Sequence, residues 1–133
     1  MDYGLQLGRR FRALKLWFVL EHYGTERLGK VIASHVDLAN DLARHIEQAE
    51  GYELAAPQSL SVVVFRKVVQ RADGSVDEEA SERANEELMT RINESGRAFV
   101  SQTRLRGRYV LRVAIGNGAT RPEHVDRLKE FLQ

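Results

Sequence analysis

Between Phe11 and Leu20 the chain sets Phe11, Leu14, Leu16, Trp17, Phe18, Val19 and Leu20 around most of the circumference of a helix. A helix on the surface of a globular domain needs one apolar stripe; a helix apolar nearly all round needs partners on several sides. The helix is expected from Arg9 to Tyr23, where Gly24 supplies a left-handed stop. This is the first sign that the chain lacks something it normally packs against. The 133 residues suffice for one modest core and are too few for two.

The remaining segments have clearer periods. Thr25 is placed to cap a second helix reaching Ala49, with Gly51 just beyond. Its inner face reads Leu28, Val31, Ile32, His35, Leu38, Leu42 and Ile46. Tyr52 to Ala55 and Ser61 to Val68 read as strands around a Pro57 turn, the second apolar on both faces like a central strand. After the polar loop Gln70 to Gly74, Ser75 and Glu78 match a capping box. That box opens a helix over 77–95, with Ala84, Leu88 and Ile92 inward and Gly96 at its end.

Ala98 to Arg104 and Arg108 to Ile115 form a hairpin through Leu105-Arg106-Gly107. Gly116-Asn117-Gly118 breaks the strand. Thr120-Arg-Pro-Glu123 is a second capping box, opening a last helix with Val125, Leu128 and Leu132 inward. The order ααββαββα implies an α+β fold: a four-stranded antiparallel sheet with helices mainly on one face.

Several function classes are excluded at this stage. Twenty basic against 19 acidic side chains give no global electrostatic grip on nucleic acid or an anionic membrane. The absence of cysteine removes disulfides, thiolate metal sites and thiol nucleophiles. The longest apolar run, Leu16 to Leu20, cannot span a bilayer. With no basic-then-apolar leader pattern, a cytoplasmic location is expected. Only two prolines and no low-complexity tract argue against long disorder.

Two basic features are candidates for chemistry. Arg9, Arg10, Arg12 and Lys15 could meet a phosphate or carboxylate, or form an ion-pair helix at a domain interface. Arg112 shares one strand face with Val110 and Ala114, while Tyr109, Leu111, Val113 and Ile115 alternate on the other. A guanidinium in so apolar a strand calls for an acceptor, supplied by a structural ion pair, a substrate carboxylate or an interdomain contact.

The other polar features carry less. His22, His35, His45 and His124 lack metal-ligand spacing, and His35 reads as a core residue, so no metal is expected. Gly116-Asn-Gly118 lacks the third glycine of a dinucleotide loop. The acidic run Asp77-Glu-Glu79 with Glu82, Glu86 and Glu87 reads as a solvated helix face. No nucleophile–base pair or paired carboxylates stand out, so on motifs alone the chain is not a self-sufficient enzyme.

The segment Leu7-Gly-Arg-Arg-Phe-Arg-Ala-Leu-Lys-Leu-Trp-Phe18 resembles the opening of the C-terminal part of group II pyridoxal-phosphate-dependent decarboxylases, the aromatic-L-amino-acid decarboxylase-like family. The resemblance continues through Tyr23-Gly24, Ser61-Val-Val-Val-Phe-Arg66, Leu88 to Arg97, Tyr109 to Ile115 and the final helix. It implies fold type I, in which a homodimer's large domain holds the cofactor and a small C-terminal domain closes over the site. Residues 1–24 would then be a lead-in segment and interdomain helix, and 25–133 the small domain, with the catalytic large domain absent from the chain.

The family's Schiff-base lysine follows a histidine, and none of Lys15, Lys30, Lys67 or Lys129 does. The lysine, the pyridinium partner and the stacked aromatic ring would all lie upstream. The chain is therefore expected to be a fragment (an expressed domain, a proteolytic remnant or a short gene model), to bind no pyridoxal 5'-phosphate alone, and to hold no catalytic residue. The intact enzyme would convert an L-amino-acid substrate to its amine and carbon dioxide. Gly8 matches a position on the substrate side-chain pocket, where glycine leaves room for a large ring such as an indole or catechol. Arg112 matches an arginine of the same family strand and is expected at the pocket, with Arg9, Arg10, Arg12 and Trp17 at the domain interface.

Two other function classes stand beside this one. A small-molecule-binding regulatory α+β module would bind ligand as the isolated chain. A nucleic-acid module would use Arg104, Arg106 and Arg108, but net charge near zero and Tyr109 as the lone aromatic on that hairpin oppose it.

Overall fold

The computed structural model describes residues 11–133. The chain divides into two compact units, Met1–Val31 and Ile32–Gln133. The division falls inside a helix, later than the Gly24 boundary expected from sequence.

In the first unit, α1 spans Ala13–Tyr23 and buries none of its residues. It begins later than Arg9, with Phe11 and Arg12 outside the helix. Phe11 is 74% exposed, Trp17 54% and Phe18 56%, so the apolar circumference noted in the sequence is uncovered. Gly24 ends the helix at φ 74°, ψ 152°, a positive-φ conformation outside the left-handed helical well that a stop would ordinarily use. Its N–H donates to the Leu20 carbonyl at 2.8 Å and its carbonyl accepts from the Leu28 N–H at 3.2 Å. One glycine thus closes α1 and opens α2 (Thr25–Gln48). Thr25 is the first helical residue rather than the cap, because the glycine carbonyl already fills that place.

Within the second unit, α2 buries His35, Ala39, Leu42, Ala43 and Ile46. Ile32, expected inward, is 59% exposed. Ala39 and Ala43, which the apolar pattern did not single out, are buried in the core cluster. Strands β1 (Tyr52–Leu54), β2 (Val62–Lys67), β3 (Ser101–Leu105) and β4 (Arg108–Ala114) form one antiparallel sheet in the order β1-β2-β4-β3. The expected central strand is central. The β3–β4 hairpin turns through Arg106 (φ 52°) and Gly107 (φ 80°), the two positive values of a type I′ turn.

Helix α3 (Glu78–Glu94) is capped by Asp77, whose side chain accepts from the Ala80 N–H at 3.0 Å. Ser75 instead folds its N–H and hydroxyl onto Asp73, and Glu78 is engaged elsewhere, so the expected Ser75–Glu78 box does not form. Helix α4 (Pro122–Lys129) is capped at Arg121, one residue after the expected Thr120. Pro122 fixes the first helical position without a donor, which leaves Arg121 at the cap. The Arg121 N–H donates to His124 Nδ1 at 3.0 Å, in place of the Thr120–Glu123 pairing. A short 3-10 turn, Glu130–Leu132, follows.

One face of the sheet carries Val63 and Phe65 from β2 and Tyr109, Leu111 and Val113 from β4, with Ile115 just beyond. These pack with Ala39, Leu42 and Ile46 of α2, Leu88 and Ile92 of α3, and Val125, Leu128 and Leu132 at the end of the chain. Each of the large side chains contributes roughly 1.5–3 kcal/mol of burial. The fold is the expected α+β layer, with the unit's helices gathered on this face.

Candidate functional site

The opposite face of the sheet carries Val62, Val64 and Arg66 on β2 and Val110, Arg112 and Ala114 on β4, because alternate residues of a strand point to opposite sides. Register sets Val64 and Ser101 on either side of Arg112. Arg112 is exposed, and its Nε donates to Ser101 Oγ at 3.1 Å. Among the described residues it forms no ion pair, so the structural-pair reading is not met there. The apolar neighbours do not bury the guanidinium, and water can serve its remaining donors.

The paired arginine of this face is Arg66, which the sequence reading did not single out. It is 2% exposed at the end of an apolar run. Its Nε donates to Glu53 Oε1 at 2.6 Å, Nη1 to Glu78 Oε2 at 2.5 Å and Nη2 to Glu78 Oε1 at 3.4 Å. Arg108 Nε lies 3.5 Å from the same Glu78. Burial works against the Arg66 charge, but the two carboxylates outweigh it and hold its pKa above the ordinary value. In return, hydrogen bonding to Arg66 draws the Glu78 pKa below its usual range. All three guanidinium nitrogens of Arg66 thus bond to carboxylates. Glu53 and Glu78 come from a different strand and from a helix start, so no local spacing announces this cluster.

A cleft of about 470 Å³ lies by the hairpin turn and the start of α3, lined by Arg66, Glu78, Glu82, Arg108 and neighbouring residues. There Glu78 serves Arg66 and Arg108, and Glu82 serves Arg104.

Among the described residues no group of histidines and carboxylates could hold a metal ion. His22 stacks edge-on against Tyr23, His35 is buried, and His124 caps α4. Lys129 is unsuited to carbonyl chemistry. Burial pushes the Lys129 pKa down, but hydrogen bonds to Asp41 and Asp126 outweigh it and keep the ammonium charged. Lys30 pairs with Glu26 at 2.7 Å. The Lys67 ammonium sits 5.8 Å from the Tyr52 ring centroid. A pyridoxal cradle needs a neutral lysine, a carboxylate for the ring nitrogen and a stacked ring in one place. The described residues do not assemble one.

Of the other expected site residues, Gly8, Arg9 and Arg10 lie outside the described residues. Arg12 and Trp17 are exposed, with the Trp17 ring 5.1 Å from that of Phe18.

Comparison with known proteins gives these features a setting. Residues 1–68 match the family model described as the pyridoxal-dependent decarboxylase conserved domain. The chain is 40% identical over 132 residues to tyrosine decarboxylase 4 of Petroselinum crispum, covering 99% of this chain and 26% of that protein. It is 38% identical to a phenylacetaldehyde synthase of Arabidopsis thaliana, with the same coverage. The crystal structure of Oryza sativa TDC with PLP and tryptamine superposes with a TM-score of 0.81 at 35% identity, over 96% of this chain and 27% of that one. The chain thus spans about a quarter of the length of the relatives it matches. By its sequence match and its fold, the chain belongs to the pyridoxal-dependent decarboxylase family.

Proposed function

We propose that this chain forms the small C-terminal domain of a pyridoxal-phosphate-dependent decarboxylase that converts an aromatic L-amino acid to its amine and carbon dioxide. The observation that carries the reading is the near end-to-end match, in sequence and in fold, to proteins named for tyrosine and tryptophan decarboxylation. The cofactor and the groups that work it belong, on this reading, to a large domain. On this reading the chain supplies the sheet face that bears Arg112, whose exposed guanidinium suits a carboxylate acceptor, and Gly8 on the side-chain pocket. A cytoplasmic homodimer is the proposed working form, from the family resemblance and the sequence reading above.

The test is a chimera in which this chain replaces the matched stretch of the Petroselinum crispum enzyme. A folded, cofactor-loaded chimera is expected to release carbon dioxide from an aromatic L-amino acid. Both amine and aldehyde are to be measured, because one relative of similar identity is a phenylacetaldehyde synthase. A soluble, cofactor-loaded chimera that decarboxylates no aromatic amino acid refutes the reading. The chain alone, mixed with pyridoxal phosphate, is expected to give no stable visible band that depends on one lysine. Such a band accompanied by amine formation overturns the assignment of the chemistry to a separate domain.

A further inference from the structure

We propose that Asn117 is a site of spontaneous deamidation, converting with time to a mixture of aspartate and isoaspartate. The residue lies in the exposed connection between β4 and α4 and is followed by Gly118. The nucleophile is the Gly118 backbone nitrogen, which has no hydrogen-bond partner among the described residues. The electrophile is the Asn117 side-chain carbonyl, whose Oδ1 accepts from the Ala119 N–H at 2.9 Å and is polarised by it. Glycine is the residue that best permits the approach, since it lacks a Cβ and adopts the required backbone angles freely. A new N–C bond closes a five-membered succinimide as the side-chain nitrogen leaves as ammonia. Water then opens the ring at either carbonyl, giving aspartate or isoaspartate with no oxidant or reductant.

The local structure sets this asparagine apart from the other three. Asn40 lies in α2, and Asn85 and Asn93 lie in α3, so their backbones are held in helical turns. The Asn85 and Asn93 side chains are further tied to the Lys67 and Val100 backbones. An opening cost of only about 1.4 kcal/mol slows a reaction that requires opening by about tenfold. The product also matters to the fold. Isoaspartate inserts a methylene into the main chain where the Asn117 carbonyl accepts from the Thr120 N–H at 2.8 Å, just ahead of α4.

The structure supplies a control variant. A Cβ built on Gly118 meets nothing within 4 Å, and the residue is not at positive φ, so Gly118→Ala fits the native backbone while hindering ring closure. The experiment ages the full chain at mildly alkaline pH and follows intact mass, isoelectric point and a peptide map with isoaspartate detection. The wild type is expected to gain the mass difference between OH and NH2 at Asn117. Its formal net charge, +1 with neutral histidines, falls to zero. The rate at Asn117 is expected to exceed that at Asn40, Asn85 or Asn93 by at least about tenfold, and Gly118→Ala is expected to slow it strongly. Isomerisation at Asp73-Gly74 changes neither mass nor charge and cannot imitate the result. An unchanged Asn117 after prolonged ageing, or equal rates in wild type and Gly118→Ala, overturns the proposal.

Discussion

Removing the buried cation Arg66 is expected to cost less stability than removing the two carboxylates that hold it. Arg66 has a side chain 3% exposed, whereas those of Glu53 and Glu78 are 43% and 52% exposed. In Arg66→Met the apolar stem is replaced by one of similar bulk and the half-exposed carboxylates turn to water, so the loss is expected near 1–2 kcal/mol. In the double variant Glu53→Gln with Glu78→Gln the guanidinium stays buried without an opposite charge, a situation that costs about 3–5 kcal/mol. Against a typical domain stability of about 5–15 kcal/mol that is a large fraction. With a urea slope of about 1–3 kcal/mol/M, the midpoint moves by roughly 1–5 M. Trp17, the only tryptophan, lies in the first unit, so unfolding of the second is followed by far-UV circular dichroism rather than tryptophan fluorescence. The pH dependence provides a second check. The folded-state pKa of Glu78 is depressed, so its contribution is fully present above the unfolded value and is lost as pH falls through the folded one. The double variant lacks this part of the acid transition. If Arg66→Met is as damaging as the double variant, the claim that desolvation of the cation dominates is wrong.

Three further outcomes are expected. The wild-type chain self-associates at micromolar concentration in sedimentation, through the uncovered aromatic side chains of α1, and Trp17→Glu shifts it toward monomer; a wild type that sediments as a folded monomer contradicts this. Arg106→Asn raises the unfolding midpoint by an amount equivalent to roughly 0.5–1 kcal/mol, because asparagine tolerates the positive φ of that turn position better than arginine; a lower midpoint in thermal melts would count against the turn assignment. In the decarboxylating chimera, Gly8→Ser lowers kcat/KM for bulky aromatic substrates more than for small ones, through about 1–3 kcal/mol of overpacking, and equal losses would remove Gly8 from the pocket wall.

The sequence was most informative where one residue type has one structural use. Gly24 and Gly96 stand at the ends of α1 and α3 with positive φ, and the alternation Tyr109, Leu111, Val113 placed β4 and its inner face. It was less informative where several polar residues compete for one cap. Ser75 and Asp77 both precede α3, and the winner was decided by Glu78, which is drawn away to Arg66 and Arg108. At α4 the expected box moved by one residue because Pro122 occupies the first helical position and His124 offers an imidazole acceptor.

The same logic separates the two arginines of the open sheet face. Arg112 drew attention because its neighbours in sequence are apolar, and the structure leaves it exposed with one hydroxyl partner. Arg66 also follows an apolar run, but its buried state depends on Glu53, thirteen residues before it, and Glu78, twelve after it. Only the register of β1 against β2 and the direction of α3 bring those carboxylates in. A strand pattern can therefore say that an arginine faces away from the core; it cannot say whether that arginine is already neutralised. Here the neutralised one fixes β1 and the start of α3 to the central strand. Arg112 stays exposed on β4, with the Ser101 hydroxyl as its partner. Its exposed guanidinium, bonded among the described residues to Ser101 Oγ alone, keeps the rotamer freedom that a contact in the chimera would draw on.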